Sequence, residues 1–377
     1  MSRRARTFRR IIISSNRRRS GVSAPVAPEY SSGTIGVVDS KTIEITFTEN
    51  VSADSDNFMA GVTVMVGSVE YDLASGTLQS DNTKVRYVLD IGVDGTESVT
   101  WAYAKSGGTI NSGGEDLENV SAQAVTNSVI KPADLSGDVH WWHVRPSGSG
   151  DTLVIGSDGA TATWTSDSTC EAATFIQATH SNKPALIAAG AAGSFNDLAV
   201  ADFDGSSDTM TSSVDQDTLF GAGAKLMYFV IKVDAVTGDT WWGGYDGLMN
   251  DTSGCWGVNI DNSSPPQILQ GNYHGVIPSP SVGVNLDLTN IKIVQLRHDG
   301  TNIYASVNGG TEASVTSGNT ACGGSSIMDL ASNYNQSNYF EGKIAEILLS
   351  NNVESSGDRA AIQTMLENIY TTGTPVS

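Results

Sequence analysis

Two aromatic clusters hold the side chains best suited to grip a sugar. They are Trp241-Trp242-Gly-Gly-Tyr245-Asp246 and Gly271-Asn272-Tyr273-His274. Aromatic faces take the C–H side of a sugar, while neighbouring amides and carboxylates bond its hydroxyls. Adjacent tryptophans on a strand point to opposite faces, so at most one of Trp241 and Trp242 serves the core on a given side. Core and hairpin packing is the competing reading for both clusters.

Hydrolysis of a sugar bond by acid/base chemistry needs two carboxylates about 5–9 Å apart. Carboxylates two residues apart on a strand share a face. Asp202-Phe203-Asp204 is the nearest arrangement, and it matches a structural turn better. The chain has no Gly-x-Ser-x-Gly elbow, no His-Glu-x-x-His and no phosphate loop. His140-Trp141-Trp142-His143 invites a metal, but residues three apart on an extended chain face opposite sides, which favours packing in a linker. Cys170, Cys255 and Cys322 are far apart and odd in number, with no metal spacing; they read as buried thiols.

The elements that must position these groups are mostly strands. The 377 residues include 40 glycines and few charges, a composition of short strands and tight turns. Ile43, Ile45 and Phe47 alternate with polar residues, as do Val62, Val64 and Val66, then Val85, Tyr87 and Leu89, then Val99, Trp101 and Tyr103. That is the period of strands with one buried face, and about seven of them over a hundred residues predict an antiparallel sandwich. Further strands are expected at Lys225–Asp234, Trp256–Ile260, Ile291–Arg297, Asn302–Asn308 and Lys343–Ser350. Asp299-Gly300 and Asn308-Gly309 mark hairpins that need positive φ. In the last strand Ala345, Ile347 and Leu349 are expected on one face, with Ile344, Glu346 and Leu348 on the other. A helix over Asp358–Tyr370, capped by Ser355 and Asp358, offers Ile362, Met365, Leu366 and Ile369 as one apolar stripe to cover that strand.

Charge divides the chain unevenly. Arg3, Arg4, Arg6, Arg9, Arg10, Arg17, Arg18 and Arg19 flank Ile11, Ile12 and Ile13, whereas residues 21–377 hold 13 basic against 41 acidic side chains. An acidic body does not grip nucleic acid, which leaves contact with packaged DNA to the arm alone. The other partner that fits is an acidic protein surface, with arginine forks pairing carboxylates and Ile11–Ile13 adding a strand to a sheet edge. No apolar run is long enough for a membrane span or a signal core. The expected organisation is all-β: an extended basic anchoring arm (1–32), a β-sandwich (33–131), a linker (132–145) and a second sandwich with a short C-terminal helix (146–377).

Lys41-Thr-Ile-Glu-Ile-Thr-Phe-Thr-Glu-Asn-Val51, Val99-Thr-Trp-Ala-Tyr103, Gly113-Gly-Glu-Asp-Leu-Glu-Asn119 and Val125-Thr-Asn127 resemble the opening, penultimate strand and close of bacterial Ig-like domains, which are usually spacers. Phe203-Asp-Gly-Ser-Ser-Asp208, Ile291 to Gly309 and Phe340-Glu-Gly-Lys-Ile-Ala-Glu-Ile347 resemble, in order, three motifs of concanavalin A-like, laminin-G-like jelly rolls; His298 stands where relatives have an aromatic residue. That resemblance implies two packed sheets of about six or seven strands. It also implies calcium as an optional cofactor, with Asp204, Asp208, Asp246 and Asp261 as ligand candidates. Glucanases of that fold carry alternating acids on one strand, a pattern not found here.

A basic anchor, an Ig-like spacer and a lectin-like jelly roll together resemble a tailed-phage virion protein. The expectation is a non-enzymatic homo-oligomer on the virion surface, made in the host cytoplasm, its arm bound to other virion proteins of the capsid or tail. Three other readings stay open: a tail fibre or spike that recognises a host glycan, a glycan-cleaving enzyme, and a cellular adhesin.

Overall fold

The computed structural model describes residues 25–144, 153–155, 161–170, 172–196, 198–220, 225–236, 245–251, 256–261, 267–272, 281–286, 288–316, 327–332 and 338–370. It is all-β but for the helix Ser356–Tyr370 and a few short turns of helix. Among the described residues the strands form four sheets. An eight-stranded sheet and a three-stranded one use residues 30–127, and two nine-stranded sheets use residues 139–350.

The first body packs around Trp101, which is fully buried. Tyr30 stacks on it at 5.6 Å, Tyr103 at 6.3 Å, and Phe47 meets it edge-on at 6.1 Å. The alternating valines, isoleucines and aromatics read from sequence supply this core. The first strand, Tyr30–Ile35, starts inside the stretch expected to be arm. Ser31, Ser32 and Gly33 hide its alternation, but the Tyr30 ring has an aromatic partner and the strand ladders against Thr42–Phe47.

In the second body two sheets face each other across one apolar core, the arrangement that the jelly-roll resemblance implied. One, here the covered sheet, runs in the order Asp167–Ser168, Val139–His143, Glu341–Ser350, Lys225–Ala235, Lys292–His298, Asn302–Val307, Ala313–Thr316; Val200–Asp204 also pairs with Glu341–Ser350. The other, the open sheet, runs from Leu153–Ile155 through Ala162–Thr165, Thr174–Gln177, Met210–Asp215, Ile327–Leu330, Tyr245–Asp251, Trp256–Asp261 and Gln267–Asn272 to Ser281–Asn285. Each has nine strands rather than six or seven, because short strands rich in Thr, Ser and Ala carry little apolar alternation.

The segment expected to be a linker contains a core strand. All five residues of Val139–His143 are buried, paired with Glu341–Ser350 on one side and Asp167–Ser168 on the other. Val139 and two tryptophans make the strand apolar on both faces: Trp142 enters the sandwich core, and Trp141 joins the opposite face.

The Glu341–Ser350 strand corrects a second expectation. Ile344, Ile347 and Leu349 face the sandwich core, whereas Ala345 and Leu348 face the other way. The register against Lys225–Ala235 slips between Val230↔Glu346 and Ile231↔Ile344, so a β-bulge at Ala345 reverses the alternation N-terminal to it. The outward face is covered by the closing helix, whose Ile362, Met365, Leu366 and Ile369 are buried as expected. Its start is capped as read: the Asp358 backbone N–H donates to Ser355 Oγ at 3.1 Å, and that hydroxyl donates to Asp358 Oδ2 at 2.6 Å. The apolar contacts continue from the helix into the first body, so helix, outer sheet face and the core of the first body form one cluster.

Candidate functional site

The groups that sequence reasoning singled out do not assemble into one site. Trp241, Trp242, Tyr273 and His274 lie outside the described residues, as do Arg3, Arg4, Arg6, Arg9, Arg10, Ile11, Ile12, Ile13, Arg17, Arg18 and Arg19. For Tyr245, Asp246 and Asn272 the backbone is described. Tyr245 pairs with Asp261 at one end of a three-strand run, and Asn272 pairs with Trp256 at the other. Five register steps part them, roughly 17 Å at about 3.4 Å per residue. A single monosaccharide does not span that separation between Tyr245 and Asn272.

Of the calcium candidates, Asp204 and Asp208 come together, in the turn where the chain crosses from the covered sheet to the open sheet. Their oxygens serve the turn. Asp204 Oδ1 accepts the N–H groups of Ser206 (2.8 Å), Ser207 (2.9 Å) and Asp208 (3.1 Å), and its Oδ2 accepts the Ser206 hydroxyl at 2.6 Å. Asp208 Oδ2 accepts the Asp204 N–H at 3.0 Å. Burial pushes Asp204 up, but these donors outweigh it and hold its carboxyl well below the ordinary range. Burial, then the neighbouring Asp204 charge, pushes Asp208 up to about 7. Asp246 and Asp261 sit on open-sheet strands, Asp246 opposite Ile260 and Asp261 opposite Tyr245. Among the described residues no group of three or more His, Cys, Asp or Glu has metal-binding geometry.

The Val139–His143 strand sends its two histidines to opposite faces, as extended geometry requires. His140 stacks on Trp142 at 5.6 Å and lies 3.4 Å from Cys170 Sγ, and burial lowers its pKa. His143 Nε2 lies 2.9 Å from Asp167 Oδ2. The Trp142 indole N–H donates to the Trp164 carbonyl, and the Trp164 indole N–H donates to the His143 carbonyl, both at 3.1 Å. This is packing chemistry. Cys170 is half-buried rather than buried; Cys255 and Cys322 lie outside the described residues.

A further Lys343-centred cluster ties three strands. Its ammonium meets Asp202 at 3.2 Å and also Asp234, which Lys232 approaches at 2.7 Å. Asp202 is thereby committed to an ion pair rather than paired with Asp204 for acid/base work.

The feature that sequence reasoning missed is the junction. Ser136 donates to Glu354 Oε2 through its N–H (3.1 Å) and its hydroxyl (2.8 Å), while the Ser350 hydroxyl donates to Oε1 at 3.1 Å. Asp138 and Asn351 exchange backbone and side-chain bonds at 2.8–2.9 Å. Gly137, at φ +90°, is required there because a Cβ would strike the Asn351 side chain. The Gly92 N–H donates to the Asn368 carbonyl at 3.1 Å, fixing the first body to the last turn of the closing helix. Beside this seam runs a groove of about 550 Å³. Gly36, Val38 and Asp39 from a turn, Ser128–Ile130 and Asp134 line one wall, and Asp358, Ala360, Ala361, Thr364 and Met365 of the helix line the other. Nothing local in the sequence pairs residues so far apart; the exposed alanines beside the buried helical stripe were the available signal.

No family model matches this chain, and no curated protein matches it. Among solved structures it is similar to the binding domain of botulinum neurotoxin DC in complex with rat synaptotagmin II, at 8% identity and TM-score 0.33 over 67% of this chain and 50% of that one. It is also similar to Trypanosoma rangeli sialidase in complex with sialic acid, at 10% identity and TM-score 0.40 over 91% of this chain and 54% of the enzyme. A third, the same neurotoxin domain in complex with SialylT, shows 10% identity and TM-score 0.33 over 52% and 49%. The chain spans about half the length of these structures. Likenesses this loose assign no function.

Proposed function

We propose that the chain is a non-enzymatic structural protein of a tailed-phage virion, a decoration protein or head fibre, held by its arginine-rich arm and presenting its second body outward. The supporting observation is the polarity of the first body. The arm enters at Pro25, which lies against Gly113. From there the chain runs through Tyr30–Ile35 to Gly36, which lines the junction groove beside the helix. Pro25 therefore lies beyond the end of that strand remote from the second body, at most roughly 35 Å of chain from Gly36 at about 3.3 Å per residue. A seam of hydrogen bonds joins the two bodies in place of a slack hinge, which keeps Pro25 at a fixed remove from the second body. Deleting residues 1–20 tests this: co-sedimentation with particles is expected to vanish while circular dichroism is unchanged. Retained association would place the attachment on a folded body.

A second reading is a fibre that binds a host glycan through the second body. The outer face of the open sheet, uncovered among the described residues, favours it: Thr163, Thr165, Thr174 and Thr211 sit there around the exposed Val154 and Ile176. A host-glycan array with no hit would remove it.

A further inference from the structure

We propose that the groove at the junction is the seat of the arginine-rich arm of a second copy of this chain, so that neighbouring copies are linked head to tail. The proposal rests on the reading of the arm as a docking element and names its receptor. Charge comes first. Asp39, Asp134 and Asp358 line the groove, and none is ion-paired among the described residues. Each spends its carboxylate on a local bond: Asp39 on the Lys41 N–H (2.8 Å), Asp134 on the Lys131 N–H (3.1 Å) and Asp358 on the Ser355 hydroxyl (2.6 Å). Lys41, drawn by both Asp90 and Asp39, turns its ammonium to the Asp90 carbonyl at 2.8 Å, and Arg359 turns its guanidinium to the Glu354 carbonyl at 2.6 Å. A carboxylate that accepts such bonds keeps its charge and further lone pairs for an arginine fork.

Apolar character comes second. Between these acids the groove presents Val129, Ile130, Ala360, Ala361 and Met365, with Val38 half exposed at the rim. The arm has the matching pattern: Arg9-Arg10, then Ile11-Ile12-Ile13, then Arg17-Arg18-Arg19. The cavity lies within the roughly 300–1,000 Å³ that binding clefts occupy.

Reach decides between the same copy and a neighbour. Ile13 is twelve residues from Pro25, so it extends at most roughly 40 Å from that point. The groove lies back along the eleven residues from Pro25 to Gly36, roughly 35 Å of extended chain. An arm serving its own groove would have to reverse at Pro25 and run taut along the whole body. An arm serving a neighbour needs no such reversal.

The test uses full-length protein in which p-benzoylphenylalanine replaces Ile12, made in light and nitrogen-15 forms, mixed and irradiated. The expected products are cross-links from the arm to peptides containing Ile130 or Ala361, half of them joining a light to a heavy chain. Ala361 and Thr364 are exposed positions of the helix, so Ala361→Arg/Thr364→Arg leaves the fold intact while adding positive charge to the groove. It is expected to cut mixed cross-links at least tenfold and to shift sedimentation towards the monomer, as 0.5 M salt should. Cross-links within single chains only, cross-links to another surface, or no response to the double variant would each overturn the proposal. If no arm-to-groove cross-link forms and the protein still binds particles through its arm, the anchoring role stands and the groove alone is refuted.

Discussion

The two sheets of the second body are built from opposite patterns. In the covered sheet the strands Val139–His143, Lys225–Ala235 and Glu341–Ser350 are buried almost without interruption. In the open sheet Ala162–Thr165 and Thr174–Gln177 alternate buried and exposed residues, and Val154, Ile176 and Ile327 stand 51%, 37% and 38% exposed. A sheet covered on both faces reads as a continuous apolar run, and one covered on a single face alternates. The difference says which sheet is internal to the molecule: the covered sheet carries the helix and, through it, the first body. The open sheet is the surface left over for the outside world.

The largest expected break in that contrast is Leu366→Ala. Leu366 is 1% exposed in the cluster that joins helix, covered sheet and first body. Its truncation should cost about 2–5 kcal/mol in urea unfolding. A cost under about 1 kcal/mol would mean that the helix is an ornament on the sheet rather than its second layer.

The next effect belongs to the turn between the sheets. Asp208 has its pKa raised from 3.8 to about 7 in the folded chain. Between those values the folded state holds a proton that the unfolded state has lost, so stability falls as pH rises from about 4 to about 7 and levels off above. Asp208→Asn keeps an acceptor for the Asp204 N–H and removes the charge. It should stabilise by about 1–2 kcal/mol at pH 8 and change little at pH 4, read from melting temperatures. Equal effects at both pH values would refute the account.

The smallest effect sharpens the contrast from the other side. Ile176→Thr on the open sheet should change stability by less than about 0.5 kcal/mol, against several for any apolar residue of the covered sheet. A larger loss would show that this face is covered in solution.

Much of this was legible in the sequence, and the exceptions have physical causes. The helix stripe, its cap and the strands of the first body follow from local periodicity, so they were readable. The bulge at Ala345 was not, because the slip is set by the partner strand. His140-Trp141-Trp142-His143 read as linker because its partner lies about two hundred residues away, at Glu346–Leu349. The candidate site was the least legible part. Tyr245 and Asn272 belong to neighbouring aromatic clusters in the sequence but sit at opposite ends of one ladder, and the groove is made by residues from three distant segments.

The strand Glu341–Ser350 lies between Val139–His143 and Lys225–Ala235 in its sheet. A ribosome releases those two neighbours long before it releases the piece that belongs between them. Until then, two strongly apolar segments wait with a vacant slot, and loop closure over such separations is slow. The second body is thus assembled as an arch is, by a keystone placed last, and any nascent chain stalled before residue 341 presents its stickiest edges to whatever is nearby.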